Sequence, residues 1–276
     1  MRRLDDAVAL LEDLSDEEFG QMAPYLRKRL PLHPLERKWN TSWELILDAI
    51  ARSGDISQRG IRGLIAEAAF ESRVIPKLRN WKAVTFVGDL PFDFKLQSVS
   101  EPPEVVTIQV KLQRMEKALP LAASKNLKCF PDDFFIAEVQ KTRSGEELEK
   151  TEEGTGGKKK TRPYRFGEFD ILAVSMHPST ADWSKFMYTV GSWLLPREKP
   201  TEQDLIRVMQ PVSPVPSEVW TDDLQTCIDW LLSKEKRLIF DLPYARERCL
   251  AARKEVSQKR AAERLAQKRG KSKHKP

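Results

Sequence analysis

The sequence predicts an α/β protein, and three observations predict it. Residues 4–78 carry apolar side chains at helical spacing between capping and breaking signals. Two central segments, Phe92–Gln97 and Val106–Gln113, alternate apolar and polar residues with a period of two, as half-buried strands do. A third, Phe169–Val174, is a short apolar run of the kind a buried strand leaves. At 276 residues and 40% hydrophobic content the chain can bury a core, for one domain with appendages or for two.

Residues 4–30 form one or two helices in this reading, with Ser15-Asp16-Glu17-Glu18 as a capping box ahead of Phe19, Met22 and Leu26. Pro31 and Pro34 close that segment. A helix over Ser42–Arg52 offers Trp43, Ile46, Leu47 and Ile50 for packing and stops at Ser53-Gly54. Residues 1–54 are thus an N-terminal helical segment, either a cap or a dimerisation surface. A third helix lies within Asp55–Leu78, with Ile61, Leu64, Ile65, Ala68 and Ala69 as its expected packing stripe and Pro76 near its end. Glu67 and Glu71, four apart, share a face of it.

Trp81–Val87 is expected as a strand leading into the Phe92–Gln97 and Val106–Gln113 hairpin. Met115–Asn126 is expected as a short helix interrupted by Pro120, and Asp133–Lys141 as a strand. Residues 144–163 are expected as a mobile loop, Glu-rich, then Gly154-Thr155-Gly156-Gly157, then Lys158-Lys159-Lys160. The buried strand Phe169–Val174 precedes a helix or turn around Trp183–Trp193, closing a core over 55–195. Residues 196–276 form a C-terminal helical segment: an extended crossing with five prolines between Pro196 and Pro216, a helix Leu224–Leu232 capped from Thr221-Asp222-Asp223, and a basic helix over 245–270.

The net charge of +6 belongs to the tail. Residues 245–276 hold twelve Lys/Arg against three Glu, whereas the rest of the chain is slightly acidic. Such a tail suits a polyanion, most simply nucleic acid, although a solvated helix has the same composition. No apolar run is long enough to span a bilayer, so no membrane partner is expected. The first residues lack the apolar stretch of a signal peptide. Cys129, Cys227 and Cys249 are too dispersed for a disulfide frame or a zinc site. A reducing, cytoplasmic setting is the expectation.

The chemistry lies in the hairpin. Paired, its strands turn Phe92, Phe94, Leu96, Ile108, Val110 and Leu112 to a core and bring Asp93, Gln109 and Lys111 together on the other face. A carboxylate, an amide oxygen and an ammonium suit a divalent cation and a phosphate. Glu67 is the choice for a further oxygen, with Glu71 one turn along in reserve. Glu104 is not an alternative, since five strand residues separate it from Gln109 by about 16 Å. The competing reading makes Asp93 a strand-edge acid paired with Lys95 or Lys111, and Gln109 and Lys111 a solvated strand face. His33, His177 and His274 are too scattered for a triad.

The helix motif Gly63-x-x-x-Glu67, the strand start Pro91-x-Asp93 and the strand Gln109-x-Lys111 resemble the PD-(D/E)xK nuclease superfamily, most of all its type II restriction endonucleases. The resemblance covers about residues 55–175. It implies a mixed central β-sheet flanked by helices, Mg²⁺-dependent cleavage of double-stranded DNA, and a homodimer. By position Asp93 would bind metal, Gln109 would stand where an acid is usual and ligate the metal through its neutral amide oxygen, Lys111 would orient the attacking water, and Glu67 would be the auxiliary acid and metal ligand. A neutral Gln109 departs from the family pattern and weakens the expected metal site. The added N- and C-terminal segments favour restriction, with a cognate DNA methyltransferase as partner. A structure-directed recombination, repair or mobile-element nuclease, or a non-cleaving DNA-binding protein on the same scaffold, are the alternatives.

Overall fold

The computed structural model describes residues 2–27, 29, 31–88, 90–127, 130–148 and 158–239. It divides into two compact units, residues 1–59 and 60–276.

The first unit is helical, with α1 (Arg2–Glu12), α2 (Asp16–Arg27), α3 (Pro34–Trp39) and α4 (Trp43–Arg52). The capping box before α2 is formed: Ser15 N donates to Glu18 Oε2 at 3.0 Å, and Glu18 N to Ser15 Oγ at 3.4 Å. Ser42 caps α4 by accepting from Leu45 N. Glu36 is the one buried side chain among the described residues of this unit. Its carboxylate accepts from His33 N at 2.8 Å and from Trp43 N at 3.0 Å, so it ties the start of α3 to the start of α4. Leu45 and Leu47 on α4 are exposed.

The unit boundary falls inside α5 (Asp55–Arg73). Beyond it come β1 (Trp81–Ala83), β2 (Phe94–Ser98), β3 (Val105–Leu112), β4 (Met115–Glu116), β5 (Leu119–Pro120), β6 (Phe135–Glu138), β7 (Gln140–Leu148), β8 (Lys158–Pro163), β9 (Ile171–Ser175), α6 (His177–Thr180), β10 (Phe186–Val190), β11 (Met209–Val212) and α7 (Leu224–Leu232). The fold is mixed α/β. Its five-stranded sheet runs β1-β2-β3-β9-β10, and the only parallel pair within it is β3 with β9; helices flank it.

The phase of α5 differs from expectation. Its buried residues are Ala66, Ala69 and Phe70, while Leu64 and Ile65 are 62% and 41% exposed. Phe70 decides this. Its ring lies 5.1 Å from Phe94, 5.4 Å from Phe186 and 6.4 Å from Tyr188, so it gathers three sheet residues into one aromatic cluster. Ala66 and Ala69 are small enough to let the helix lie close beneath it. The sheet selects the stripe that seats the large ring over the one expected from spacing.

Other expectations are corrected or refined. Met115–Asn126 is not a helix but the tight β4–β5 hairpin, turning through Lys117 and Ala118 at φ 50° and 63°, followed by a 3₁₀ turn. Residues 144–148 and 158–163 are paired strands of a β7–β8 ribbon, whose register sets Glu146 and Glu147 opposite Lys160 and Lys159. Gly154–Gly157 lies outside the described residues. The Trp183–Trp193 segment is a turn at 183–184, a strand, β10, buried along its length with α7 packed against it, and a 3₁₀ turn at Gly191–Trp193. The Pro196–Pro216 crossing contains β11, which pairs antiparallel with β6. Trp81–Val87 is a strand only through Ala83. Asp223 caps α7 through Thr226 N at 2.8 Å, as its sequence predicts. Cys129, Cys249 and the 245–270 segment fall outside the described residues, and no described helix is long and apolar enough to cross a membrane.

Candidate active site

The site is built where β2 begins beside the middle of β3. Asp93 N donates to Ile108 O at 2.9 Å, so pairing of the two strands extends one residue past β2 and sets Asp93 opposite Gln109. Alternation then puts Gln109, Lys111 and Gln113 on one face of β3, with Ile108 and Val110 packed on the other. The parallel register with β9 places Leu172 beside Gln109 and Val174 beside Lys111, both fully buried. Asp170 locks that register: its carboxylate accepts from Thr107 N at 2.8 Å and from Thr107 Oγ1 at 2.7 Å. Gly191 allows the last turn of chain to close on this corner. A Cβ there would sit 2.7 Å from the carbonyl oxygen of Phe169.

The four residues proposed from sequence come together. Gln109 Nε2 donates to Asp93 Oδ2, which also accepts from Val110 N at 2.8 Å. Glu67, from α5, lies close enough to Asp93 and Lys111 for both charges to act on its proton. Burial, then the Asp93 charge, push the Glu67 carboxyl up to about 7, and Lys111 opposes them. Burial also raises the Asp93 carboxyl against the pull of Lys111 and the two hydrogen bonds. The Lys111 ammonium is pushed down by burial, while Asp93 and Glu67 hold it up. Among the described residues, neither Lys111 Nζ nor the Glu67 carboxylate makes a hydrogen bond or an ion pair. Two carboxylates and an ammonium therefore share a poorly solvated space without neutralising one another by direct contact. Glu71 is exposed.

The face was expected to be open and is instead roofed. Gln109 is 2% exposed, because Tyr164, at the end of β8, lies on it and donates its hydroxyl to Gln109 Oε1 at 3.1 Å. Lys111 Nζ and Lys141 Nζ lie 5.6 and 5.5 Å from the Tyr164 ring centre, and Lys141 pairs with Glu168 at 2.7 Å. Sequence reasoning missed Tyr164, since nothing in 55 intervening residues signals the contact. It missed Gln113 as well, which is buried with neither amide heteroatom bonded. Lys141 thus stands beside the site. His177 stacks on Trp183 at 3.8 Å and His33 caps α3, so neither joins the site.

Comparison with family models, curated proteins and solved structures returns no match. The chemistry must therefore be argued from the residues. No three of His, Cys, Asp and Glu gather as a ready metal shell among the described residues. What the site offers a hard cation is two carboxylates, with Asp93 Oδ1 and both Glu67 oxygens free of hydrogen bonds among the described residues, beside a desolvated ammonium. That donor set fits Mg²⁺, which keeps several waters and needs only one or two protein carboxylates.

Proposed function

We propose that this chain is a Mg²⁺-dependent, sequence-specific double-stranded DNA endonuclease of the PD-(D/E)xK type, acting as a homodimer in a restriction system alongside a cognate DNA methyltransferase. One observation carries the reading: Glu67, Asp93, Gln109 and Lys111, drawn from a helix and two strands, converge with their charges mutually coupled and Lys111 unpaired. A structural ion pair would bring ammonium and carboxylate into contact. Here the ammonium is held near two acids without touching either.

Asp93 and Glu67 would hold Mg²⁺, and the ion when bound supplies a more acidic water and neutralises charge on the phosphate. Lys111 Nζ can donate to the attacking water or to a phosphate oxygen as negative charge develops there. Lys141 and the basic tail supply phosphate contacts, which position the duplex without reading it.

A second reading is favoured by a separate observation. Gln109 is neutral, and its one acceptor oxygen is engaged by Tyr164. A site weakened in this way suits a DNA-binding protein that does not cleave. Incubation of the purified protein with phage DNA, with Mg²⁺ and with EDTA, separates the readings. Discrete Mg²⁺-dependent fragments are expected. A smear would replace restriction with a structure-directed or nonspecific nuclease, and intact DNA that still shifts in a gel would favour the non-cleaving protein.

A further inference from the structure

We infer that Tyr164 is a positioning residue that fixes the Gln109 amide as a hydrogen-bond donor to Asp93, so that Gln109 orients the carboxylate and does not itself ligate the cation. The inference rests on the cation-site reading above and changes what the third residue of the motif does within it.

A side-chain amide has two chemically different ends that fill the same space, and only its partners say which way round it sits. At Gln109 both ends are committed. Oε1 accepts from the Tyr164 hydroxyl at 3.1 Å. Nε2 donates to Asp93 Oδ2 and reaches Val110 O at 3.3 Å. Turning the amide over would set Oε1 against a carboxylate oxygen and a carbonyl oxygen, three acceptors in a cluster, and would leave Nε2 with only the hydroxyl. Gln109 is 2% and Tyr164 4% exposed, so water cannot repair the mismatch. The two ammonium groups beside the ring, on Lys111 and Lys141, strengthen the phenol as a donor. The orientation observed is therefore the one that every neighbour supports.

The consequence falls on Asp93. Two donors, Gln109 Nε2 and Val110 N, meet its Oδ2, and Oδ1 makes no hydrogen bond among the described residues. One oxygen is anchored and the other is left for a cation. An acid at position 109 would supply its own ligand oxygen. Glutamine here supplies a clamp, and a tyrosine far along the chain keeps the clamp the right way round.

The test compares wild type with Tyr164→Phe, using glutamine-selective ¹⁵N labelling and Mg²⁺ calorimetry. The Gln109 NH₂ signal is identified by its disappearance in Gln109→Met. In wild type its protons are expected to exchange slowly with solvent and to stay protected when Mg²⁺ is added. In Tyr164→Phe exchange is expected to be at least about tenfold faster, and Mg²⁺ binding about tenfold weaker, because Asp93 loses its fixed orientation. A melting curve and amide spectrum like those of wild type show that the fold is kept. Unchanged exchange in Tyr164→Phe would overturn the assignment. So would Mg²⁺ binding as tight as wild type or tighter, since releasing Oε1 can only help if that oxygen is a ligand. No Mg²⁺ binding by wild type would defeat the cation-site reading instead, and the exchange comparison would then decide the role of Tyr164 by itself.

Discussion

Replacing Glu67 with glutamine should make the protein more stable at pH 8 and less able to bind Mg²⁺. In the folded chain the Glu67 carboxyl holds its proton up to about 7, against an ordinary value of 4.5. A group that binds its proton more tightly when folded stabilises the fold while protonated. That contribution is complete below 4.5 and is lost as pH rises through about 7. At about 1.4 kcal/mol per pH unit the full effect would be about 3 kcal/mol. Glu67 is only partly buried, so solvent screening reduces it to about 1–2 kcal/mol. Urea melts at pH 5 and pH 8 measure it. Wild type should lose about 1–2 kcal/mol more than Glu67→Gln between the two pH values, ending less stable than the variant at pH 8. Saturating Mg²⁺ at pH 8 should reverse the order, because an ion at 100 times its Kd adds about 2.7 kcal/mol to the form that binds it. Identical pH dependence in the two proteins would refute the argument, since it would mean that Glu67 is not desolvated beside Asp93.

Three further outcomes follow from the same structure. Lys111→Ala should reduce Mg²⁺-dependent cleavage by at least about 100-fold; plasmid nicking measures the loss, and full activity would remove Lys111 from the site. Phe70→Ala should cost about 3–5 kcal/mol of unfolding free energy, read from urea melts, because Phe70 is fully buried against Phe94, Phe186 and Tyr188. Deleting residues 250–276 removes ten basic side chains; the slope of log affinity for DNA against log salt should flatten by about 0.9 for each of those that contacts a phosphate, and an unchanged slope in a filter-binding titration would show that the tail stays off the DNA.

Local rules were legible wherever one short stretch settles the matter. Ser15 and Asp223 cap helices because each side chain meets a backbone N–H three residues away. The period of two in β2 and β3 placed Asp93, Gln109 and Lys111 on one face, since strand geometry leaves alternation no freedom. What only the tertiary structure decided involves partners far apart in the chain. The buried face of α5 depended on which side chain could reach Phe94, Phe186 and Tyr188, and the stripe expected from spacing was displaced by the one that carries Phe70. β10 and β11 gain their strand partners from β9 and β6, across loops whose length carries no pairing signal. The roof over the site is the clearest case. Alternation put Gln109 on the right face, but a face is open or closed only once another segment has packed on it. Tyr164 arrives from 55 residues downstream, and a hydrogen bond between such distant groups leaves no mark in the periodicity of either.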